Sequence, residues 1–408
     1  PPPPPPPPPF FFQAEPAKRH PLWSRWLGDV YKRQELLPPE SIPGLPADAL
    51  ANINGPSVLR MPDWAAGKQA AFHMYFGHHK GKSLRLAYAD RLEGPWAKHP
   101  DPVIPLADSL FEPEDSAPDP TLTAPDWVDA LGGDYLYAHV ASPDAHIDEP
   151  NRRIVMYYHG LLRDGDQQTR LATSTDGLHY TPQAPLLGPP YFRATWLDGV
   201  IYLSMWEGRL GRMTSWEGPV ELAPHIHDGY HLPPHISGRN PSQPGRQIRH
   251  GHIFAHDRRL HMTFSRIGDR PERCLHCEVV PADDWADWRF GPVSDLLRSA
   301  PGWEGGDLPM RPSIMGTAWD RLHELRDPAL FTDNGTALCT QLASQKHGVI
   351  VVGCLLCCLC CHNLAACRRS LAWVQKLGSK EFQTWLSSQT PSCEWRWIRS
   401  ASSSPPLS

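Results

Sequence analysis

The sequence predicts an all-β fold, a five-bladed β-propeller, on three observations. First, Tyr135–Trp196 contains four short segments of β-branched and aromatic residues, YLYAHVAS, RRIVMYYHG, TRLATST and HYTP, separated by turn clusters such as EPN and RDGD. Second, YFRATWLDGVIYLSMW then starts the same order again. Third, 47 prolines and 31 glycines favour many strands and turns over long helices. A repeating unit of four short strands is typical of a propeller blade.

Five repeats follow one another along the chain, joined by long Pro-rich loops at 97–133 and 301–325. Their first residues are, in order, Asn54, Tyr135, Tyr191, Arg249 and Arg326. Long loops on a rigid scaffold often carry function. The strand pattern fades after about Ala337, so the sequence leaves open whether the fifth blade is complete.

Composition sets the predicted domain boundaries. Residues 1–34 begin with nine prolines and three phenylalanines and are interpreted as a disordered leader foreign to the rest of the chain. Residues 35–340 are predicted to form the propeller. Residues 341–408 are interpreted as an atypical tail, disordered or mistranslated, because six of the ten cysteines fall within 354–367.

Charge and hydropathy argue against several classes of protein. The net charge is −5 and no basic face is visible, which argues against a nucleic-acid-binding protein. No signal peptide is visible. The apolar run GVIVVGCLLCCLCC has about 14 residues, fewer than a membrane-spanning helix needs. We therefore expect no membrane partner, and the sequence determines neither localisation nor oligomeric state.

Eight motifs in order resemble a known family. They are NGPSVLRMPDW, YFGHHKGKSLRLAYADRLEGPW, SPDAHIDEPNRRIVMYYHG, TRLATSTDGLHY, LGPPYFR, FSRIGDRPER, WEGGDLPMRPS and HELRDPALF. Together they are similar to the five-bladed propeller family related to glycoside hydrolase families 43 and 32, over about residues 53–334. The resemblance implies a sugar site at the axial funnel, an oligo- or polysaccharide substrate, and cleavage of a glycosidic bond without a cofactor.

Glycoside hydrolysis uses two carboxylates, one as the acid and one as the base or nucleophile. Inner strands of a propeller converge on the axis, and their expected first residues are Asn54, Asp144, Arg193, His250 and Asp327. Asp144 and Asp327 are therefore the predicted catalytic pair, with Glu304 as a candidate acid and Glu207 as a less favoured one. The alternatives are that Asp144 caps a turn and that Asp327 pairs with Arg326.

One departure from the family keeps other functions open. In the related families the first inner strand carries an aspartate that acts as base or nucleophile, and Asn54 is expected to occupy that place here. An amide cannot accept a proton at neutral pH. The second hypothesis is therefore a non-catalytic carbohydrate-binding propeller, and the third is a scaffold for protein partners.

Histidines and arginines near the expected inner strands are the predicted substrate-binding residues. The fixed fork of Arg193 is suited to the carboxylate of an acidic sugar. The other candidates are Asn54, His78, His79, Arg85, His146, His159, His250 and Arg326. The alternative for each charged residue is a pair with an aspartate of a neighbouring blade.

Two groups of potential metal ligands do not lead to a predicted metal site. Four histidines lie in one loop, His225, His227, His231 and His235. Zinc needs three or four convergent ligands, and spacing in a Pro/Gly-rich loop does not show convergence. Cys274 and Cys277 are expected to point to opposite faces of a strand. We therefore predict that the protein holds no metal.

Overall fold

The computed structural model describes residues 31–33, 53–78, 81–115, 119, 121–122, 136–223, 248–302, 304–313, 322–333, 336–343 and 351–353. Most of the predicted leader, most of the predicted tail, His79 and the histidine-rich loop lie outside the described residues. Within the described residues, no helix has the length and apolar character that crossing a membrane requires.

The described chain is built almost entirely from strands. Four short 3-10 helices interrupt them, at Leu106–Asp108, Glu149–Asn151, Trp206–Gly208 and Trp285–Asp287. The strands are β1 (Tyr31–Arg33), β2 (Asn54–Arg60), β3 (Phe72–Gly77), β4 (Ser83–Ala89), β5 (Ala97–Lys98), β6 (Ile104–Pro105), β7 (Val140–Asp148), β8 (Arg153–Leu161), β9 (Gln167–Ser174), β10 (Thr181–Pro182), β11 (Arg193–Leu197), β12 (Val200–Ser204), β13 (Leu210–Met213), β14 (Glu221–Leu222), β15 (Ile248–His256), β16 (Arg259–Arg266), β17 (Cys274–Val280), β18 (Arg289–Phe290), β19 (Ser294–Leu297), β20 (Leu325–Asp333), β21 (Thr336–Ala343) and β22 (Val351–Gly353). The all-β prediction is confirmed.

These strands form five antiparallel sheets. The first has the order β2-β3-β4-β5, with β6 also paired to β4; the second and third are β7-β8-β9-β10 and β11-β12-β13-β14. The fourth is β15-β16-β17-β18, with β19 also paired to β17, and the fifth is β20-β21-β22-β1. Most neighbouring strands are also consecutive in the chain, and two-residue turns join β11 to β12 and β15 to β16.

Apolar cores lie between neighbouring sheets of the described chain. Leu59 and Tyr75 of the first sheet pack with Val140 and Ile154 of the second. Tyr157 of the second shares a cluster with residues of the third, among them Phe192, Ala194, Ile201 and Leu203. A third cluster joins β13 to the fourth sheet through Leu210, Ile248, Met262 and Phe264. Sheets packed face to face in succession give the propeller arrangement.

The inner strands of the sheets meet around one axis. β2 contacts β7 and β20, and β15 contacts β11 and β20. A carboxylate on β7 accepts a hydrogen bond from the backbone of β11, which joins the second and third sheets. The predicted propeller arrangement is therefore confirmed.

The predicted number of five blades is not shown. Among the described residues, four sheets are complete blades that run without interruption from the inner strand outward. The fifth sheet draws its outer strands, β22 and β1, from segments 341–408 and 1–34, which the composition assigned to the tail and the leader. Strand pairing between distant segments leaves no local pattern from which the sequence could predict it.

Candidate axial binding site

The inner strands share a local irregularity at the axis. In β2, β7 and β20 the register of pairing shifts across the strings Asn-Gly-Pro-Ser, Ala-Ser-Pro-Asp and Arg-Asp-Pro-Ala. In each string the residue before the proline has a positive φ, namely Gly55 at 53°, Ser142 at 49° and Asp327 at 53°. Tyr191, just before β11, also has a positive φ of 68°. Such β-bulges re-aim a side chain and are common next to functional sites.

A pocket opens at the axis where these residues meet. Its wall is formed by residues of all five inner strands or the residues just before them: Gly55, Ser142, Tyr191, Arg193, His250, Gly251, Asp327 and Pro328. The positive-φ positions are among them, so the repeated bulge is what turns these residues towards the axis. The sequence prediction that residues far apart in the chain converge there is realised for Arg193, His250 and Asp327.

Aromatic rings form one wall of the pocket. The ring centroid of Tyr191 lies 4.2 Å from that of His159 and 4.2 Å from that of His250. Trp206 stacks on Tyr191 with centroids 5.3 Å apart and an interplanar angle of 30°. Ring faces of this kind offer a broad apolar surface at low entropic cost.

Asp327 supplies the carboxylate on the pocket wall. Its Oδ1 accepts a hydrogen bond from Nδ1 of His250, across the boundary between the fourth and fifth sheets. Since an ionised carboxylate only accepts hydrogen bonds, His250 carries its proton on Nδ1 in this contact. A non-glycine residue with a positive φ is strained, and aspartate tolerates it better than most residues.

Asp144 lies behind Arg193. Nη1 of Arg193 donates to Pro143 O at 2.8 Å and to Asp144 Oδ1 at 3.3 Å. The other oxygen, Oδ2, accepts from Ala194 N at 2.7 Å and lies 2.7 Å from Nε2 of His146. Both oxygens of this carboxylate, which is only 2% exposed, are thus occupied by protein donors. Asp144 joins the second blade to the third and holds Arg193 in the pocket wall.

Burial and charge set the protonation of these groups. Burial by itself raises the pKa of Asp144, but His146 and Arg193 outweigh it and hold the pKa well below its usual value. Burial lowers the pKa of His252, which lies on β15, to about 3, with a smaller opposing effect of Asp144. Burial also holds the pKa of His159 well below its usual value. At neutral pH Asp144 is therefore charged, whereas His159 and His252 are neutral.

The other predicted residues lie farther from the pocket wall. Arg85 on β4 is half-buried and donates to Pro100 O at 3.4 Å, and His78 is buried at the end of β3. Arg326, whose predicted alternative partner was Asp327, forms ion pairs with the buried Glu272 and Glu324. One oxygen of Glu304 accepts a hydrogen bond from Ala300 N at 2.7 Å.

The register of strand pairing in the first sheet places Asn54 differently from the sequence prediction. The bulges align Gly55 with Ser142 and Asp327, so Gly55 and not Asn54 holds the axial position of the first blade. A Cβ added to Gly55 would lie 2.7 Å from the Cα of Ser142. The Cα of Ser142 is a backbone atom and cannot rotate away as a side chain could. An aspartate therefore fits at position 55 only if the backbone of the second blade moves.

This close contact gives a test of the packing at the axis. We expect Gly55→Ala to lower the free energy of unfolding by about 1–3 kcal/mol more than Gly199→Ala, measured by chemical denaturation. Both glycines have a positive φ, 53° and 85°, but nothing lies within 4 Å of a Cβ at Gly199. Backbone strain of about 1–2 kcal/mol is therefore common to both variants. Equal losses would show that the Ser142 contact relaxes without cost.

Sequence reasoning missed several residues of this region. Tyr191 and Trp206 were read only as parts of the LGPPYFR and MWEG strings, although a Pro-Pro pair before an aromatic residue signals a fixed entry into a strand. Glu207, the less favoured candidate, is buried with a positive φ of 64° and lies next to Trp206. Its Oε2 lies 3.3 Å from Nη2 of Arg209.

The potential metal ligands do not come together in the part of the chain that the structure describes. Within the described ranges, His, Cys, Asp and Glu form no group of three or more that suits a metal ion. Cys274 and Cys277 are both buried on β17, and the loop with His225, His227, His231 and His235 lies outside those ranges.

Comparison with known proteins finds similar chains of both unknown and known activity. No family model matches the chain. An uncharacterized protein of Acanthamoeba polyphaga mimivirus is 28% identical over 312 residues, which cover 73% of this chain and 82% of that protein.

Two solved structures are also similar. A family 43 β-xylosidase/α-arabinofuranosidase from a compost metagenome is 10% identical, has a TM-score of 0.47, and the match covers 79% of this chain and 95% of that one. A family 43 enzyme from Xanthomonas citri is 12% identical, also with a TM-score of 0.47, over 80% of this chain and 92% of that one.

Proposed function

We propose that this protein is a carbohydrate-active protein of the glycoside hydrolase-like kind and that a sugar binds in the axial pocket. The observation that carries the proposal is the pairing, in one pocket, of an aromatic wall with charged hydrogen-bonding groups. Tyr191 offers a ring backed by Trp206, and Arg193, His250 and Asp327 lie on the same wall. A sugar ring has apolar C–H faces and a rim of hydroxyl groups, which matches these two kinds of surface.

The polar groups suit hydroxyl recognition because each is fixed in advance. Arg193 is held by Asp144 and Pro143, and Asp327 by His250. Groups whose geometry is set before binding lose little conformational entropy when the ligand arrives. The resemblance of the sequence motifs to glycoside hydrolase-related propellers supports the same choice of ligand.

We further propose that the fifth sheet acts as a fifth blade and closes the ring. Support comes from β20, which contacts both β2 of the first sheet and β15 of the fourth. Phe331 on β20 packs edge-on against Phe72 with centroids 6.0 Å apart, which extends the core of the first blade to the fifth sheet.

The test is a glycan array followed by a chromogenic glycoside panel, both with the full chain. Binding to at least one class of oligosaccharide is expected, and it should be competed by the free glycan. Binding that persists when Tyr191 is replaced by alanine would place the sugar elsewhere, and no binding to any glycan would contradict the proposal.

Cleavage of a glycosidic bond is a second candidate, favoured by one observation. Asp327 is a buried carboxylate on the pocket wall with a strained backbone, a combination found at catalytic sites. Hydrolysis needs a second carboxylate, and Glu207, adjacent to the aromatic wall, is better placed for this than Asp144, whose oxygens are occupied. Turnover of a chromogenic glycoside that disappears in Glu207→Gln supports cleavage, whereas binding without turnover supports the non-catalytic function.

A further inference from the structure

A buried ionic cluster lies at the boundary between the fourth and fifth sheets. Glu272, in the turn between β16 and β17, is fully buried. Arg249 of β15 donates to both of its oxygens, from Nε to Oε1 at 2.8 Å and from Nη2 to Oε2 at 3.1 Å. Ser265 Oγ donates to Oε1 at 2.7 Å. Three hydrogen bonds from two side chains therefore fix one carboxylate.

The same carboxylate also binds an arginine of the fifth sheet. Nε of Arg326 lies 3.2 Å from Oε2 of Glu272, and its Nη2 forms an ion pair with Glu324. The backbone carbonyl of Glu272 accepts a hydrogen bond from Leu325 N at 3.0 Å, at the start of β20. Glu272 thus holds both β15 and β20 at the level where they approach the axis.

The two arginines are the immediate neighbours of the polar pair in the pocket. Arg249 precedes His250, and Arg326 precedes Asp327. Both pairs lie in β-bulges, between Ile248 and Gly251 and between Arg326 and Ala329. Each arginine is bonded directly to the next residue, so fixing the arginine restricts the bulged backbone from which the pocket residue projects. The contact between His250 and Asp327 spans the same two strands that Glu272 joins.

We propose that Glu272 is a positioning residue that sets the hydrogen bond between His250 and Asp327 by clamping the arginines that precede them. The inference rests on the proposed role of the axial pocket but not on the identity of its ligand.

Charge balance explains why the cluster tolerates burial. Two arginines face two glutamates, and buried charges persist only when they are paired and hydrogen-bonded. Burial by itself raises the pKa of Glu272, but Arg249 and Arg326 outweigh it and lower the pKa. Arg249 binds the carboxylate with two nitrogens and Arg326 lies against it through Nε, which leaves it little freedom of orientation. The cluster therefore defines a geometry more narrowly than an apolar contact of the same size would.

Two variants that conserve charge test the clamp. Glu272→Asp shortens the carboxylate arm by one methylene, so it no longer reaches both arginines, and Arg249→Lys replaces a two-pronged fork by a point charge. The measurement is the NMR signal of the His250 Nδ1 proton in protein labelled with ¹⁵N-histidine, assigned by its disappearance in His250→Gln. The wild type is expected to show a slowly exchanging signal, and both variants are expected to lose it.

Asp148→Asn is the matched control. Asp148 is also a buried carboxylate bound to an arginine, Arg153, at 2.7 Å, but it lies at the far end of β7. The Asp148→Asn substitution should lower the free energy of unfolding and leave the NMR signal of the His250 Nδ1 proton in place. A signal retained in folded Glu272→Asp or in folded Arg249→Lys, or absent from the wild type, would overturn the proposal. Because the readout needs no sugar, its failure is distinct from a failure to bind glycans.

Discussion

Replacing Asp144 by asparagine is expected to lower the free energy of unfolding by about 3–5 kcal/mol, the usual cost of breaking a buried ion pair. Arg193 would keep its charge, 5% exposed, with Pro143 O as its remaining acceptor among the contacts described above. His146 would lose its carboxylate as well. The loss is measured by chemical denaturation.

The matched control for this variant is Asp198→Asn. Asp198 also pairs with an arginine, Arg258, at 2.9 Å, but both side chains are more than half exposed. Exposed pairs contribute about 0–1 kcal/mol, so a loss in that range is expected. If Asp144→Asn changed stability no more than the control and abolished glycoside turnover, Asp144 would be a catalytic group, as the sequence suggested.

Asp144 should also affect how stability depends on pH. Its pKa in the folded protein lies below the value of about 3.9 for an unfolded aspartate. The carboxylate therefore stabilises the fold fully above that unfolded value, and this contribution is lost as the pH falls through and below it. Denaturation curves between pH 7 and pH 2 should show a smaller acid-dependent loss in Asp144→Asn than in the wild type.

Replacing Asp327 by asparagine is expected to weaken sugar binding roughly 10–100-fold. A hydrogen bond to a charged group contributes about 1.5–3 kcal/mol, and 1.4 kcal/mol corresponds to a factor of ten in affinity. The variant removes the charge from the pocket wall and weakens the contact with His250. Isothermal titration with the best glycan from the array measures the affinity.

Glu304→Gln serves as the control for that titration. Glu304 is a buried carboxylate too, but one of its oxygens accepts from the backbone of its own loop, at Ala300 N. The Glu304→Gln variant should bind the glycan with the same affinity as the wild type. Equal affinities in all three proteins would show that Asp327 takes no part in binding.

Strand patterns predicted the architecture because they are local. The segments RRIVMYYHG and TRLATST carry β-branched and aromatic residues between turns, and the structure forms β8 and β9 largely from them. Their side chains are buried on both faces, which follows from the packing of one blade on the next. The segment YLYAHVAS predicted its strand too early, because β7 shares only Val140–Ser142 with it and runs on to Asp148. By contrast, β1 pairs with β22, which lies more than 300 positions away in the chain. No local sequence pattern in either segment indicates this pairing.

The site was predicted less completely because β-bulges shift the register of strand pairing, and counting residues from the start of a strand does not reveal such a shift. Counting from the strand start placed Asn54 at the axis, whereas the bulge places Gly55 there. The same shift places Ser142 on the pocket wall and Asp144 behind it. Three strings of the form x-Gly/Ser/Asp-Pro-x were visible in the sequence, and aligning them on the proline would have given the correct residue.

The sequence also did not predict the ion pairs between residues that lie far apart in the chain. Glu272 was read only as part of a turn motif, because its partners Arg249 and Arg326 are 23 and 54 positions away in the chain. Arg326 was expected near a sugar, and the structure instead pairs it with Glu272 and Glu324. Burial decides between such roles, and burial depends on the packing of whole sheets.

The most direct test of the central claim is a crystal structure of the protein with its best-binding oligosaccharide. The account predicts a sugar ring against Tyr191, with hydroxyl groups hydrogen-bonded to Arg193 and Asp327. An oligosaccharide bound on an outer face of the blades, with the axial pocket holding only solvent, would contradict it.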